Sequence, residues 1–281
     1  MQKKINTKKL LGMIGTYAVL VLFAVLSVYP VTRILTISLR PGDRLLSTSL
    51  QIIPDDATLD NFRVLLTETP FLRWVFNSLL VAFVVTVTGV AFASTAGYAL
   101  SRYKFAGRGF MLSGLLITQM FPATMLLLPL YVVLINLHLL NSYLGLIIIY
   151  TATALPFCVW QMKGYYDTIP FALEEAARID GCSPWQAFYK VIFPLAAPAL
   201  AITALFSFMT AWNEFVVANV VLQDTDMFTL PLGLKLFQGS LRTQWGLYAA
   251  GSLLVAVPVV GLFLVLSRYL ISGLTLGAVK G

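Results

Sequence analysis

The polar chemistry of this chain is concentrated in one stretch. Residues 171–200, FALEEAARIDGCSPWQAFYKVIFPLAAPAL, form the only polar, helix-shaped insertion in an otherwise apolar sequence. It carries the acidic pair Glu174 and Glu175, then Ala176, Ala177, Arg178, Ile179, Asp180 and Gly181. Leu173, Ala176, Ala177 and Asp180 fall at helical spacing, which sets a face of small residues beside the charged Glu174, Glu175 and Arg178. A second helix-start signal follows, with Ser183 as N-cap, Pro184 as first helical residue and Gln186 in the capping-box place. The stretch therefore predicts two short helices with Gly181 at the corner, where a left-handed conformation is cheap only for glycine. It offers a surface for another protein to press against.

Reactive constellations are missing elsewhere. The sequence has no G-x-x-x-x-G-K-[ST] phosphate loop, no H-E-x-x-H, no G-x-S-x-G and no Cys-His cluster, so no catalytic residue, metal or cofactor is expected and no enzyme. Cys158 sits in an apolar run and Cys182 in the insertion, which does not resemble a disulfide framework. His138, the only histidine, reads as a structural or solvated residue near a helix end. Glu214 is the only acid within an apolar run. Ion-coupled carriers usually keep ionisable groups at membrane depth, and one carboxylate is thin support for that chemistry. Glu214 either caps or bonds a kinked neighbour, or lines a substrate path together with Gln119 and Asn213. Thr118, Asn77 and Tyr150 are comparable polar positions, read as helix–helix glue.

The elements that must position these residues are set by composition. The 281-residue chain is 59% hydrophobic and only 11% charged, and its mean hydropathy is +0.85. A soluble domain carries about 25% charged residues, so this is an integral membrane protein in contact with lipid. At about 20 apolar residues per span, the length allows six transmembrane helices. The expected fold is all-α and polytopic, one transmembrane domain over residues 1–281. Its spans fall near 10–37, 71–100, 110–135, 143–162, 195–222 and 245–270, with a polar loop at 163–194. Pro122 and Pro129 predict a bent third span. Gly89, Ala91, Ala93, Ser94, Ala96 and Gly97 predict close packing in the second. Asp60 is a possible cap for a short surface helix in the first outer loop.

Charge placement fixes the orientation. With both termini and the 163–194 loop inside, twelve basic residues face four acidic ones there, against seven and seven outside; Glu214 completes the net charge of +7. That is a positive-inside distribution, and nucleic acid is not needed to explain the basicity. With neither an ATP site nor an ion relay, transport by this chain needs energy from a partner.

The insertion supplies the partner by resemblance. Glu175-Ala176-Ala177, three residues, Gly181, nine residues, then Val191-Ile192-Phe193-Pro194 resembles the EAA loop of ATP-binding-cassette importer permeases, EAA-x3-G-x9-I-x-L-P. The departures, Val191 for isoleucine and Phe193 for leucine, are conservative. Gln119-Met120-Phe121-Pro122, Lys163-Gly164-Tyr165 and the ending Gly273-Leu274-Thr275…Val279-Lys280-Gly281 are similar to the second permease of maltose-type importers, and Trp212-Asn213-Glu214-Phe215 is similar to many carbohydrate permeases of that group. The resemblance spans nearly the whole chain and implies the type I importer permease fold, in a bacterial or archaeal inner membrane.

The same resemblance implies partners: a homologous permease subunit, two ATPase subunits and an extracytoplasmic sugar-binding protein. It assigns ATPase coupling to Glu174, Glu175, Ala176, Ala177, Asp180 and Gly181, and a tail contact with the ATPase to Gly277, Val279, Lys280 and Gly281. Gln238, Gly239, Ser240 and Leu241 fall in the loop that probes the binding protein. The implied function is one half of the path of an importer for maltose- or maltodextrin-like di- or oligosaccharides. Two other readings stand beside it. An ion-coupled secondary carrier would show inverted repeats and paired broken helices, neither visible in the sequence. A membrane scaffold would transport nothing.

Overall fold

The computed structural model describes residues 7–42, 51–239 and 243–277. The architecture is all-α; among the described residues the one β-type pairing is an isolated bridge between Gln238 and Thr243. In chain order the helices are α1 (Thr7–Ser38), α2 (Asp60–Thr67), α3 (Phe71–Arg102), α4 (Arg108–Met120), α5 (Leu127–Asn136), α6 (Tyr143–Thr168), α7 (Ala172–Ile179) and α8 (Pro184–Ala187). They continue with α9 (Phe193–Leu195), α10 (Ala197–Trp212), α11 (Val216–Val221), α12 (Leu230–Lys235) and α13 (Trp245–Gly277). Among the described residues, four helices are long and apolar enough to cross a membrane: Leu10–Ser38, Phe71–Arg102, Tyr143–Thr168 and Trp245–Tyr269. Two bent pairs, Arg108–Met120 with Thr124–Asn136 and Pro184–Leu195 with Ala197–Trp212, bring the number to six if each is one span.

The chain divides into two compact units, Met1–Thr69 with Leu234–Val255, and Pro70–Gly233 with Ala256–Gly281. In the first, α1 is apolar on every side and exposed from Leu10 to Val31, as a lipid-facing helix must be. Pro30 does not interrupt it. Its end is tied down by Asn61, whose Nδ2 donates to the Ser38 carbonyl at 2.9 Å and the Arg40 carbonyl at 2.8 Å. Each such hydrogen bond from a buried amide contributes about 1 kcal/mol. Gly246 lies against the Asn61 amide, where a Cβ would have no room. Asp60 is not a cap: α2 begins at Asp60 itself, and Leu59 before it has no side chain to cap with.

The second unit is built on α3, α6 and α10. Gly89, Ala93 and Gly97 repeat every four residues along one buried stripe of α3, and small residues there let backbones approach without a hydrophobic driving force. A Cβ at Gly97 would meet Met162 Cβ at 2.8 Å and the Lys163 backbone nitrogen at 2.9 Å. Ala91, which composition placed in the same packing group, faces outward. Polar ties cross the seams: Thr88 Oγ1 with Thr151 Oγ1 at 3.1 Å between α3 and α6, and Gln161 between α6 and α10. Gln161 accepts from Thr203 Oγ1 at 2.5 Å and donates to the Ala199 carbonyl at 3.3 Å.

Several boundaries differ from the sequence reading. α6 runs six residues beyond Met162, to Thr168, so the polar loop begins after its last turn. The run 195–222 is two helices, α10 and the six-residue α11, parted at Asn213–Phe215. α13 continues through Gly277, beyond the span expected near 245–270. The third span breaks at Pro122, where the missing N–H and the ring end α4, and resumes through a 3-10 turn at Ala123–Leu126. Pro129 falls in the first turn of α5, where no intrahelical donor is lost.

Candidate functional site

The stretch 171–200 folds as its capping signals require. α7 ends in a Schellman motif: Cys182 N–H donates to the Ala177 carbonyl at 2.9 Å, and Gly181 N–H to the Arg178 carbonyl at 3.0 Å. Gly181 takes φ +85°, the left-handed value this motif needs. Ser183 Oγ then accepts from Gln186 N–H at 3.2 Å, and Gln186 Oε1 accepts from Ser183 N–H at 2.9 Å, a complete capping box for α8. A π-turn at Phe188–Ile192 leads into α9. The axis of Pro184–Leu195 turns 78° into α10.

The two adjacent glutamates point to different sides of α7. Glu175 is exposed, as are Ala176, Arg178, Ile179, Asp180 and Gly181. Glu174 is buried, only 2% exposed, and Ala177 is buried beside it. Glu174 therefore does not belong to the outer surface that the sequence reading gave it. Its Oε2 accepts from the Tyr98 hydroxyl at 2.8 Å, and its Oε1 forms an ion pair with Arg102 Nε. Arg102 also donates through Nη2 to the Ile169 carbonyl at 3.0 Å and lies over the Phe171 ring. Tyr98 is the hub: its ring packs on Phe188 at 4.5 Å and edge-on against Tyr166 at 5.8 Å. Nearby, Ser101 Oγ donates to Asp167 Oδ1 at 2.7 Å, and Asp167 pairs with Lys163 at 2.6 Å. The end of α3 is thus bound to both the end of α6 and the inner face of α7. Neither Arg102 nor Tyr98 belongs to a motif in the sequence; the signal for Arg102 is a basic loop, 101–109, with no acid of its own to pair with, and nothing marks Tyr98.

The substrate-path candidates separate. Glu214 Oε1 accepts from Val217 N–H at 2.8 Å, and Oε2 from Ala218 N–H at 3.1 Å and from the Tyr150 hydroxyl at 2.8 Å. It caps α11 and ties it to α6, which is the structural alternative of the two left open. Asn213, at the same break, is exposed. Gln119 Nε2 donates to the Thr153 carbonyl at 3.2 Å, a tie between α4 and α6. Thr118 Oγ1 bonds back to the Leu115 carbonyl. Asn77 is not helix–helix glue: it donates to the Asp226 and Phe228 carbonyls, both at 2.9 Å, and Trp74 Nε1 reaches the Thr225 carbonyl. The segment after α11 is therefore clamped onto the start of α3.

Gln238 and Gly239 are exposed, and Gln238 pairs with Thr243 across the loop tip; Ser240 and Leu241 lie outside the described residues. Gly277 is the last residue of α13, while Val279, Lys280 and Gly281 also lie outside them. His138 closes α5 with φ +54° and is exposed, a helix-end residue.

Residues 86–272, which hold the later part of α3, all of α6 and α10 and the whole insertion, match the family of binding-protein-dependent transport system inner membrane components. The chain belongs to this permease family. Among its relatives is the maltose/maltodextrin transport system permease protein MalG of Yersinia pestis, 36% identical over 96% of this permease and 94% of the relative. The maltodextrin transport system permease protein MdxG of Bacillus subtilis is 36% identical over 98% and 99%. The arabinooligosaccharides transport system permease protein AraQ of Halalkalibacterium halodurans is 38% identical over 92% and 93%. A crystal structure of a bacterial ABC transporter involved in the import of the acidic polysaccharide alginate contains a chain that this permease matches with a TM-score of 0.79 and 25% identity, covering 96% of this permease and 99% of that chain.

Proposed function

We propose that this chain, acting as a single permease domain, forms half of the translocation path of an ATP-driven importer for maltose- or maltodextrin-like di- or oligosaccharides. The carrying observation is α7: an EAA-type helix whose Glu175 face is exposed while its Glu174 face is fixed to α3. The relatives transport maltose, maltodextrin and arabinooligosaccharides, and the solved relative imports alginate, so a saccharide is the substrate class. The chain pairs with a homologous permease, sits on two ATPase subunits that hydrolyse the ATP, and receives sugar from an extracytoplasmic binding protein. α7 and the exposed residues Glu175, Ala176, Asp180 and Gly181 dock on the ATPase, on the cytoplasmic side with both chain termini. The 238–241 loop faces the binding protein, and the segment 277–281 reaches the ATPase pair. Transport follows alternating access: ATP closes the ATPase dimer, α7 carries that motion to the spans, and the cavity opens to the sugar.

The test is the reconstituted complex. Glu175→Lys should abolish sugar uptake and uncouple or release the ATPase subunits, because it reverses charge on the docking face. Wild-type uptake and wild-type ATPase coupling in that variant would end this reading. The ion-coupled alternative draws no support from Glu214, whose two carboxylate oxygens are already engaged by Val217, Ala218 and Tyr150.

A further inference from the structure

A docked helix transmits motion only through what binds its other face. Resting on the functional reading above, we infer that Arg102 and Tyr98 are positioning residues of the transport cycle, the link through which α7 moves α3. Three observations support this. The ion pair between Arg102 and Glu174 is shielded from water, with side chains 8% and 3% exposed, so it is stiffer and less salt-screened than a surface pair. Every polar atom of the Glu174 carboxylate is engaged by α3: Oε1 by Arg102 and Oε2 by Tyr98. The two donors lie four residues apart, so they share one face of α3 and hold α7 at two points on a single turn. The segment after α7 meets α3 through apolar packing instead, with Trp185, Phe188, Tyr189 and Phe193 lining an open cleft against α3 residues 86–95. Phe188 alone reaches Tyr98 closely. Displacement of α7 therefore pulls on α3 through Glu174.

The neighbouring glutamates divide the work: Glu175 meets the ATPase and Glu174 meets the membrane helix. Loss of the inner contact should leave docking and basal ATP hydrolysis in place and lower the sugar moved per ATP. The experiment uses the full complex in proteoliposomes with Glu174→Gln, Arg102→Gln and Arg102→Lys. Glu174→Gln and Arg102→Gln should copurify with ATPase subunits in wild-type proportion, yet lose about tenfold in sugar per ATP, within the range of energetic coupling between sites. Arg102→Lys should recover part of that loss. Unchanged sugar per ATP, a loss that only follows lost ATPase subunits, or no difference between Arg102→Lys and Arg102→Gln would each overturn the inference.

A second measurement stands apart from transport. Amide hydrogen exchange in the purified protein should quicken across α7 in Glu174→Gln while α3 keeps its protection, and unchanged exchange in α7 would overturn the link by itself. Failure of the wild-type complex to move sugar with ATP would instead strike the functional reading, and the exchange result would still decide whether Glu174 holds α7.

Discussion

Glu174 and Glu175 show how much one step along a helix decides. With 3.6 residues per turn, neighbours point about 100° apart, so one carboxylate enters the protein and the other stays in solvent. Glu214 makes a similar point at the break between α10 and α11, because its position before an orphaned helix start makes it a cap. Glu214→Ala should destabilise the permease by about 1–2 kcal/mol through the lost cap, and further because the buried Tyr150 hydroxyl loses its acceptor. Thermal unfolding of the purified protein in detergent checks this: the midpoint should fall clearly for Glu214→Ala and less for Tyr150→Phe. An unmoved midpoint for Glu214→Ala would return this residue to the substrate path.

At the scale of elements, the contact between α3 and α6 depends on what cannot move. A methyl group on Gly97 would strike α6 backbone at Lys163, whereas one on Gly89 would meet the Ser207 side chain of α10, whose hydroxyl at 2.7 Å can rotate away and whose Cβ lies at 3.3 Å. Gly97→Ala should cost about 1–3 kcal/mol, the usual range for overpacking, and Gly89→Ala clearly less. Comparing the unfolding midpoints of the two variants tests the packing, and equal shifts would contradict it. The small-residue run was legible in the sequence because composition alone marks it. Which members touch a neighbour depends on helix phase and on the crossing point, so Ala91 and Gly97 were indistinguishable until α6 was in place.

At the scale of the molecule, no G-x-x-x-x-G-K-[ST] motif occurs in the chain, and in the proposed complex energy arrives through α7. Uptake of a malto-oligosaccharide by proteoliposomes holding the complete complex should require ATP with the ATPase subunits and withstand proton and sodium ionophores. Uptake that ignores ATP and collapses with an ionophore would mark a secondary carrier. The same vesicles, offered arabino-oligosaccharides and malto-oligosaccharides with the cognate binding protein, would rank the sugars by stimulated ATP hydrolysis.

The sequence alone determined the all-α, apolar character of the chain, the helix–corner–helix shape of 171–200 and the family resemblance, because these rest on composition, capping residues and fixed spacing, all local along the chain. Only the tertiary structure decided that Glu174 turns inward to Arg102 and Tyr98, more than seventy residues away in sequence, and that Asn77 holds a distant loop backbone. It also decided that Glu214 serves a helix start. A carboxylate or an amide has the same composition whatever it binds. Its partner is chosen by which helix ends the fold brings within hydrogen-bond reach, and burial makes that choice matter, since an unpaired polar group in an apolar interior is costly.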